Sequence, residues 1–280
     1  MAMWISLSVL SALAWASSDL FSKRAMARGE ADEATIIWAK YLVALPFTLP
    51  LLLFGIPHLS ARFFWLQAIA FPIEAVALLL YMRAIRLSPL SLTLPFLSLT
   101  PAFLLAVGFV FLREKPGPVQ AAGVILVVVG SYLLSGEGWI PWVAIKKEKG
   151  PWLMIVVSFI YAFTAALGKL LISESSPTFF SAYYLAGMTL LFSPIAFLRK
   201  KWTLRFSRNV LFAGVFHGGM VITHMFAVIM TQASYMIALK RLSGVFGVIY
   251  GRLFFEEKKL LRRLIAAGIM FVGALLVSLG

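Results

Sequence analysis

Two pairs of side chains in this sequence are spaced for proton exchange. Glu74 and Tyr81 are seven residues apart, and so are His217 and His224. Seven residues are close to two helical turns, so each pair lies on one face of a helix. The second pair follows the first by 143 positions, setting Glu74 against His217 and Tyr81 against His224. An imidazole changes charge near neutral pH, so a carboxyl group opposite two of them could pass a proton. The same residues could instead form a fixed hydrogen-bonded contact that staples two helices together.

Cations form the second candidate group. Lys240 and Arg241 are adjacent within an apolar run, about six residues in, or roughly 10 Å along a helix at ~1.5 Å per residue. The positions 143 earlier are Leu97 and Ser98, so this feature has no twin. Neighbouring helical residues point about 100° apart, so one cation could reach the interface while the other faces inward. Lys40 lies a turn or two inside another apolar run. Inward-facing cations would favour a ligand carrying carboxylate or phosphate; interfacial anchoring is the competing reading. Asp19, Lys169 and Arg252 lie close enough to run ends that snorkelling is expected. Two aromatics complete the set. Trp15 sits well inside the first run with Lys23 eight residues on, and Tyr161 and Lys169 repeat that spacing later.

The elements that position these residues come from a duplication. Thr100-Pro101, Phe103, Gly108, Phe111, Glu114-Lys115, Gly123 and Gly130 recur 143 residues later. The second copy reads Ser243-Gly244, Phe246, Gly251, Phe254, Glu257-Lys258, Ala266 and Gly273, and no gap interrupts Ala84–Ser135. Glu114 and Glu257 are expected to sit before a helix whose N-terminal dipole favours a carboxylate. The recurrent glycines are expected to let helices pack closely.

The chain is 61% hydrophobic and 13% charged, and its apolar runs are about as long as a bilayer-spanning helix. Such runs must satisfy their backbone internally, so they are predicted as helices of a polytopic membrane protein. The expected spans are Met3–Ser22, Ala34–Phe54, Phe63–Arg83, Leu90–Leu112 and Pro118–Leu134, then Trp152–Ile172, Phe179–Leu198, Val210–Ile229, Ser234–Phe255 and Leu264–Leu279. The first lacks a basic leader and is read as a retained helix. Residues 1–136 form one five-helix repeat, 137–150 a linker and 151–280 the second repeat. An odd number of spans per unit makes the repeats cross the membrane in opposite senses.

There is no cysteine, which excludes disulfides and thiolate metal sites. The net charge of +14 resides mostly in loops, where it sets orientation and meets anionic headgroups, so no nucleic-acid partner is expected. Loops after odd-numbered spans hold most of these cations, among them Lys146, Lys147, Arg199, Lys200, Lys258 and Arg262. The positive-inside rule therefore puts both termini outside.

In these features the sequence resembles the drug/metabolite transporter superfamily, in its ten-span EamA-type branch. The resemblance rests on Trp15 with Lys23, Thr100-Pro101, Glu114, Gly123 and Gly130, and on their second-copy counterparts, where Gly244 replaces Pro and Ala266 replaces Gly. It implies a ten-helix basket around a central cavity, no ATP hydrolysis, and termini in the cytoplasm, against the charge rule. No Walker-type phosphate loop is present, in keeping with this.

The expectation is therefore an all-α membrane protein of ten transmembrane helices, built as two inverted repeats around a cavity. Its function would be secondary transport, in the export direction, of a small polar or anionic metabolite by alternating access. Trp15, Lys40, Tyr81, Tyr161, His224, Lys240 and Arg241 would bind the cargo, and Glu74 with His217 would couple it to protons. A translocator of a lipid-linked anionic group is the alternative, favoured if Lys240 and Arg241 open sideways to the bilayer. An intramembrane enzyme would need a tighter acid, base or metal constellation. No cofactor or metal is expected. The partners would be the cargo and lipids, the chain would be a monomer or homodimer, and its place the prokaryotic cytoplasmic membrane.

Overall fold

The computed structural model describes residues 2–107, 117–135, 148–198, 206–231 and 233–279. Its helices are α1 Ala2–Ala27, α2 Glu33–Thr48, α3 Ala61–Leu87, α4 Leu90–Thr93, α5 Leu99–Val107 and α6 Pro118–Ser135. Then follow α7 Lys149–Ser173, α8 Pro177–Phe197, α9 Arg208–Ile229, α10 Ala233–Lys240, α11 Leu242–Phe255 and α12 Leu260–Leu279. Among the described residues there is no strand, and seven helices are long and apolar enough to cross a membrane. Shorter apolar helices cover Leu90–Leu104 and Pro118–Gly130. Leu53, Leu190 and Trp65 are exposed on the outside of the bundle, as side chains facing lipid would be.

Helix starts follow local chemistry. Asp32, Ser60, Ser176 and Ser207 each accept a backbone N–H three residues on, capping α2, α3, α8 and α9. The expected fourth span is not one continuous helix. Between α4 and α5 the chain tightens into a 3-10 segment, Leu94–Ser98, where Pro95 removes an amide donor. The second copy breaks at the matching place without a proline. There the Arg241 N–H is shared between the Ile237 and Ala238 carbonyls at 3.2 and 3.1 Å, and α11 begins afresh at Leu242. Arg241 is the counterpart of Ser98.

Packing repeats the duplication. α1 lies along α9, and its counterpart α7 lies along α3. Small side chains allow the first contact: Ser18 Oγ donates to the Ala213 carbonyl at 2.8 Å and Ser11 Oγ to that of Met220 at 3.3 Å. α6 and α12 pack against each other through their glycines. A Cβ on Gly273 would meet the Gly123 carbonyl at 2.7 Å, and one on Gly130 would meet the Ala266 carbonyl at 2.9 Å. These are equivalent pairs, since 123 corresponds to 266 and 130 to 273. One relationship is unequal: α2 runs closely along α9, whereas the matching α3 and α8 touch far less. Gly214 of α9 lets Val43 approach, while the residue equivalent to Gly214 is Phe71, whose ring is wedged against Gly187.

Candidate functional site

The helices enclose a cavity of about 150 Å³ whose walls come from α1, α2, α3, α7, α8, α9 and the α10–α11 break. It extends past Phe71, Lys169, Ile172, Phe180 and Val228, toward the face where α7 ends and α8 begins.

One wall is aromatic. Trp15 stacks on Tyr81 with ring centroids 5.9 Å apart and planes 25° apart, and Tyr161 closes a triangle at 6.2 Å from Trp15 and 6.3 Å from Tyr81. The Lys240 ammonium lies 4.3 Å from the Trp15 ring centroid and the Arg241 guanidinium 5.6 Å from it, a favourable placement for cations over an indole face. Lys240 Nζ is also 3.2 Å from His224 Nδ1. An ammonium only donates, so Nδ1 is the acceptor and the imidazole proton belongs on Nε2.

The opposite wall holds a polar chain. Tyr184 donates to Glu74 Oε1 at 3.2 Å, the Tyr184 and Tyr41 hydroxyls are 2.8 Å apart, and His217 lies against the Tyr41 ring with centroids 4.4 Å apart. Glu74 and His217 therefore face each other through two tyrosines, rather than meeting directly as equivalent polar faces would. Neither ring nitrogen of His217 has a partner among the described residues, and the same is true of Arg241 Nε and Nη1 and Asp19 Oδ1. Buried polar atoms normally find partners; His217 and Arg241 line the cavity, so their nitrogens are available to polar groups there, whereas Asp19 lies behind its wall.

All nine residues singled out in the sequence line this cavity. Lys240 and Arg241 are both buried, so neither reaches the interface and neither opens to lipid. Two expectations are corrected. Asp19 does not snorkel: it is fully buried, and its Oδ2 accepts the Tyr81 hydroxyl at 2.5 Å. It lies on the inner face of α1, which extends past the expected end at Ser22 to Ala27 and so leaves Asp19 two turns from the terminus. Lys169 also stays inside, at the cavity wall, half-buried, donating to the Thr231 carbonyl at 3.5 Å. Lys23 does the equivalent with the Ser88 carbonyl at 2.5 Å, and 88 and 231 correspond under the duplication. Only Arg252 of that trio is exposed.

Glu257 serves a helix other than the one that follows it. With Glu256 in the left-handed region at φ 53°, the turn reverses the chain. The Glu257 carboxylate then accepts the backbone N–H groups of Leu90 and Ser91 at 2.8 and 3.0 Å, capping α4 of the other repeat. Arg263 and the Ser91 hydroxyl complete its shell. Glu114 lies outside the described residues.

Sequence reasoning passed over Tyr41, Tyr184 and Thr164. The first two carried a signal: they are the same residue type at the repeat spacing. Thr164, beside Glu74, had none.

Among curated proteins none matches this chain. A solved structure titled only as the crystal structure of a protein is 13% identical and superposes with a TM-score of 0.66 over 96% of this chain and 98% of its own, a likeness of fold. A family model matches twice, over residues 2–136 and 148–279, and with nearly the whole chain covered in two copies the protein belongs to the EamA-like transporter family.

Proposed function

We propose that this multi-pass membrane transporter is a secondary active exporter of a small anionic metabolite in a prokaryotic cytoplasmic membrane. The observation that carries the reading is the burial of Lys40, Lys240 and Arg241 around a cavity between the duplicated halves. A charge at the centre of a spanning helix costs about 2.5–3.5 kcal/mol or more, so three cations kept there have a use, and an anion is what they attract. The aromatic triangle of Trp15, Tyr81 and Tyr161 offers the organic part of the cargo a flat apolar wall.

In this reading each repeat contributes five crossings, α4 with α5 and α10 with α11 serving as one broken span each. Broken helices expose backbone groups beside the site, and that is tolerated only where they line a cavity. The repeats rock about the cavity, α2 closing on α9 in one state and α3 on α8 in the other. Glu74, Tyr184, Tyr41 and His217 supply titratable and hydroxyl groups in series, a route by which protons could drive the cycle. The positive-inside rule favours both termini outside, against the cytoplasmic termini the family resemblance implies; a C-terminal tag reached by antibody in intact cells supports the charge rule, and a protected tag supports the family orientation.

The test is counterflow in liposomes with a panel of soluble carboxylates and phosphates and their neutral analogues. Exchange of an anion but not of its neutral analogue supports the reading. Accelerated flip of a labelled anionic lipid with no soluble counterflow replaces it with lipid translocation.

A further inference from the structure

Resting on the alternating-access reading, we infer that Phe71 is the spacer that sets the resting state of the transport cycle. Its ring holds α3 off α8, so the cavity reaches the face where α7 ends, and removing the ring lets that side close.

The two closures are equivalent under the duplication, so they can be compared position by position. Where α2 meets α9 the contact is made by small groups. A Cβ on Gly214 would overlap the Val43 side chain and lie 3.1 Å from the Lys40 carbonyl, and one on Gly218 would lie 3.3 Å from Ala44 Cβ. The two backbones are therefore this near only because residue 214 carries no side chain. The matching positions between α3 and α8 are Ala186 and Gly187 for Val43 and Ala44, and Phe71 and Ala75 for Gly214 and Gly218. Ala186 is smaller than Val43. Ala44 against Gly218 becomes Gly187 against Ala75, which only moves one methyl across the contact. Phe71 alone is out of scale.

The Phe71 ring is buried and fills the room that Gly187 leaves, where any Cβ on that glycine would overlap it. It also meets Tyr183 and Tyr184, with ring centroids 6.1 and 6.0 Å away. Long side chains bridge the gap on either side of it: Tyr183 donates to Gln67 Oε1, and Tyr184 to Glu74 Oε1 at 3.2 Å. For α3 to close on α8 as α2 closes on α9, the ring must leave the gap, because a packed interior does not absorb an aromatic side chain by compression. Pro72 is the next residue and removes one intrahelical donor, so α3 can bend there; α9 has Val215 at the matching place. The asymmetry thus has a direction: α2 and α9 are shaped to stay shut, and α3 and α8 are propped.

The chain has no cysteine, so Thr164→Cys at the cavity wall supplies a single labelling site. The full-length protein is reconstituted in liposomes and exposed to a membrane-impermeant maleimide, either outside or trapped inside, with a protease-accessible C-terminal tag sorting the two insertion orientations. With Phe71 in place, labelling comes from the face where α7 ends. Phe71→Gly copies the matching residue, and Phe71→Ala keeps a good helix former. Each should lower labelling from that face about 10-fold and raise it from the opposite face, so either folded variant decides. Unchanged or greater labelling from the α7-end face overturns the spacer role. Gly214→Ala probes the alternating-access reading separately: its Cβ overlaps Val43, pushes α2 from α9, and should raise labelling from the opposite face. If it does so while the Phe71 variants change nothing, the repeats rock and Phe71 is not the spacer. Labelling confined to one face in all three variants removes the rocking reading itself.

Discussion

The hydroxyl groups of Tyr41 and Tyr184 lie 2.8 Å apart, and the two residues are separated in the chain by 143 positions, the period of the duplication. Equivalent residues that touch each other mark the pseudo-twofold axis relating the halves, as equivalent patches do in a symmetric dimer. Around this axis Tyr184 serves Glu74 and Tyr41 packs on His217, so one geometry carries an acid on one side and an imidazole on the other. The two tyrosines are nonetheless unequal. Tyr184→Phe takes a donor from Glu74 and an acceptor from Tyr41 and should cost about 1–3 kcal/mol, whereas Tyr41→Phe should cost about 1 kcal/mol. The double variant should be less damaging than the sum, which denaturation in detergent over the full cycle measures.

The α6–α12 contact yields a pair of predictions of opposite sign. Gly273→Val places atoms within 2.7 Å of the Gly123 carbonyl and should destabilise by about 1–3 kcal/mol or more, lowering the melting temperature. Gly219→Ala adds a Cβ with nothing within 4 Å, in the interior of α9, and should leave stability unchanged or raise it by up to ~1 kcal/mol.

Two carboxylates latch the opposite faces. Glu30, after α1, accepts from Ser207 at 2.5 Å and from Asn209 at 3.1 and 3.0 Å at the start of α9. Glu174, after α7, accepts from Ser60 at 2.9 Å and pairs with Arg62 at 3.3 Å at the start of α3. The chain has no cysteine, so a single Thr164→Cys reports on the cavity alone. A membrane-impermeant thiol reagent should label it from the face where α7 ends. Adding Glu30→Ala should open a second route, raising labelling from the other face several-fold, and Glu174→Ala should not.

Glu257 couples the halves by capping α4 from the second repeat. Glu257→Ala strands the Leu90 and Ser91 amides and leaves Arg263 without its carboxylate, and should cost about 1–3 kcal/mol by thermal melting. Glu257→Gln keeps an acceptor for one of the two amides and should recover part of that loss.

Much of this architecture was legible in the sequence because its signals are periodic. Apolar runs gave the helices, and a gapless 143-residue offset pointed to Glu74, His217, Tyr81 and His224 on matching faces. What stayed hidden depended on helix ends and on pairing between distant segments. Asp19 was read as close to a span end because α1 runs five residues beyond its apolar stretch. The α4 cap requires knowing that the turn at Glu256 aims Glu257 at the other repeat, which no local pattern encodes. The break at Arg241 is likewise unmarked by Pro; only its register with Ser98, beside Pro95, shows that the second copy keeps the irregularity without the residue that causes it in the first.

The central claim, that Lys240 and Glu74 belong to the anion site between the repeats, is tested most directly by counterflow of the transported anion into liposomes bearing the wild-type protein, Lys240→Ala or Glu74→Gln. The account predicts uptake reduced at least 10-fold by Lys240→Ala and a clear reduction by Glu74→Gln. Uptake unaltered in both variants would contradict it.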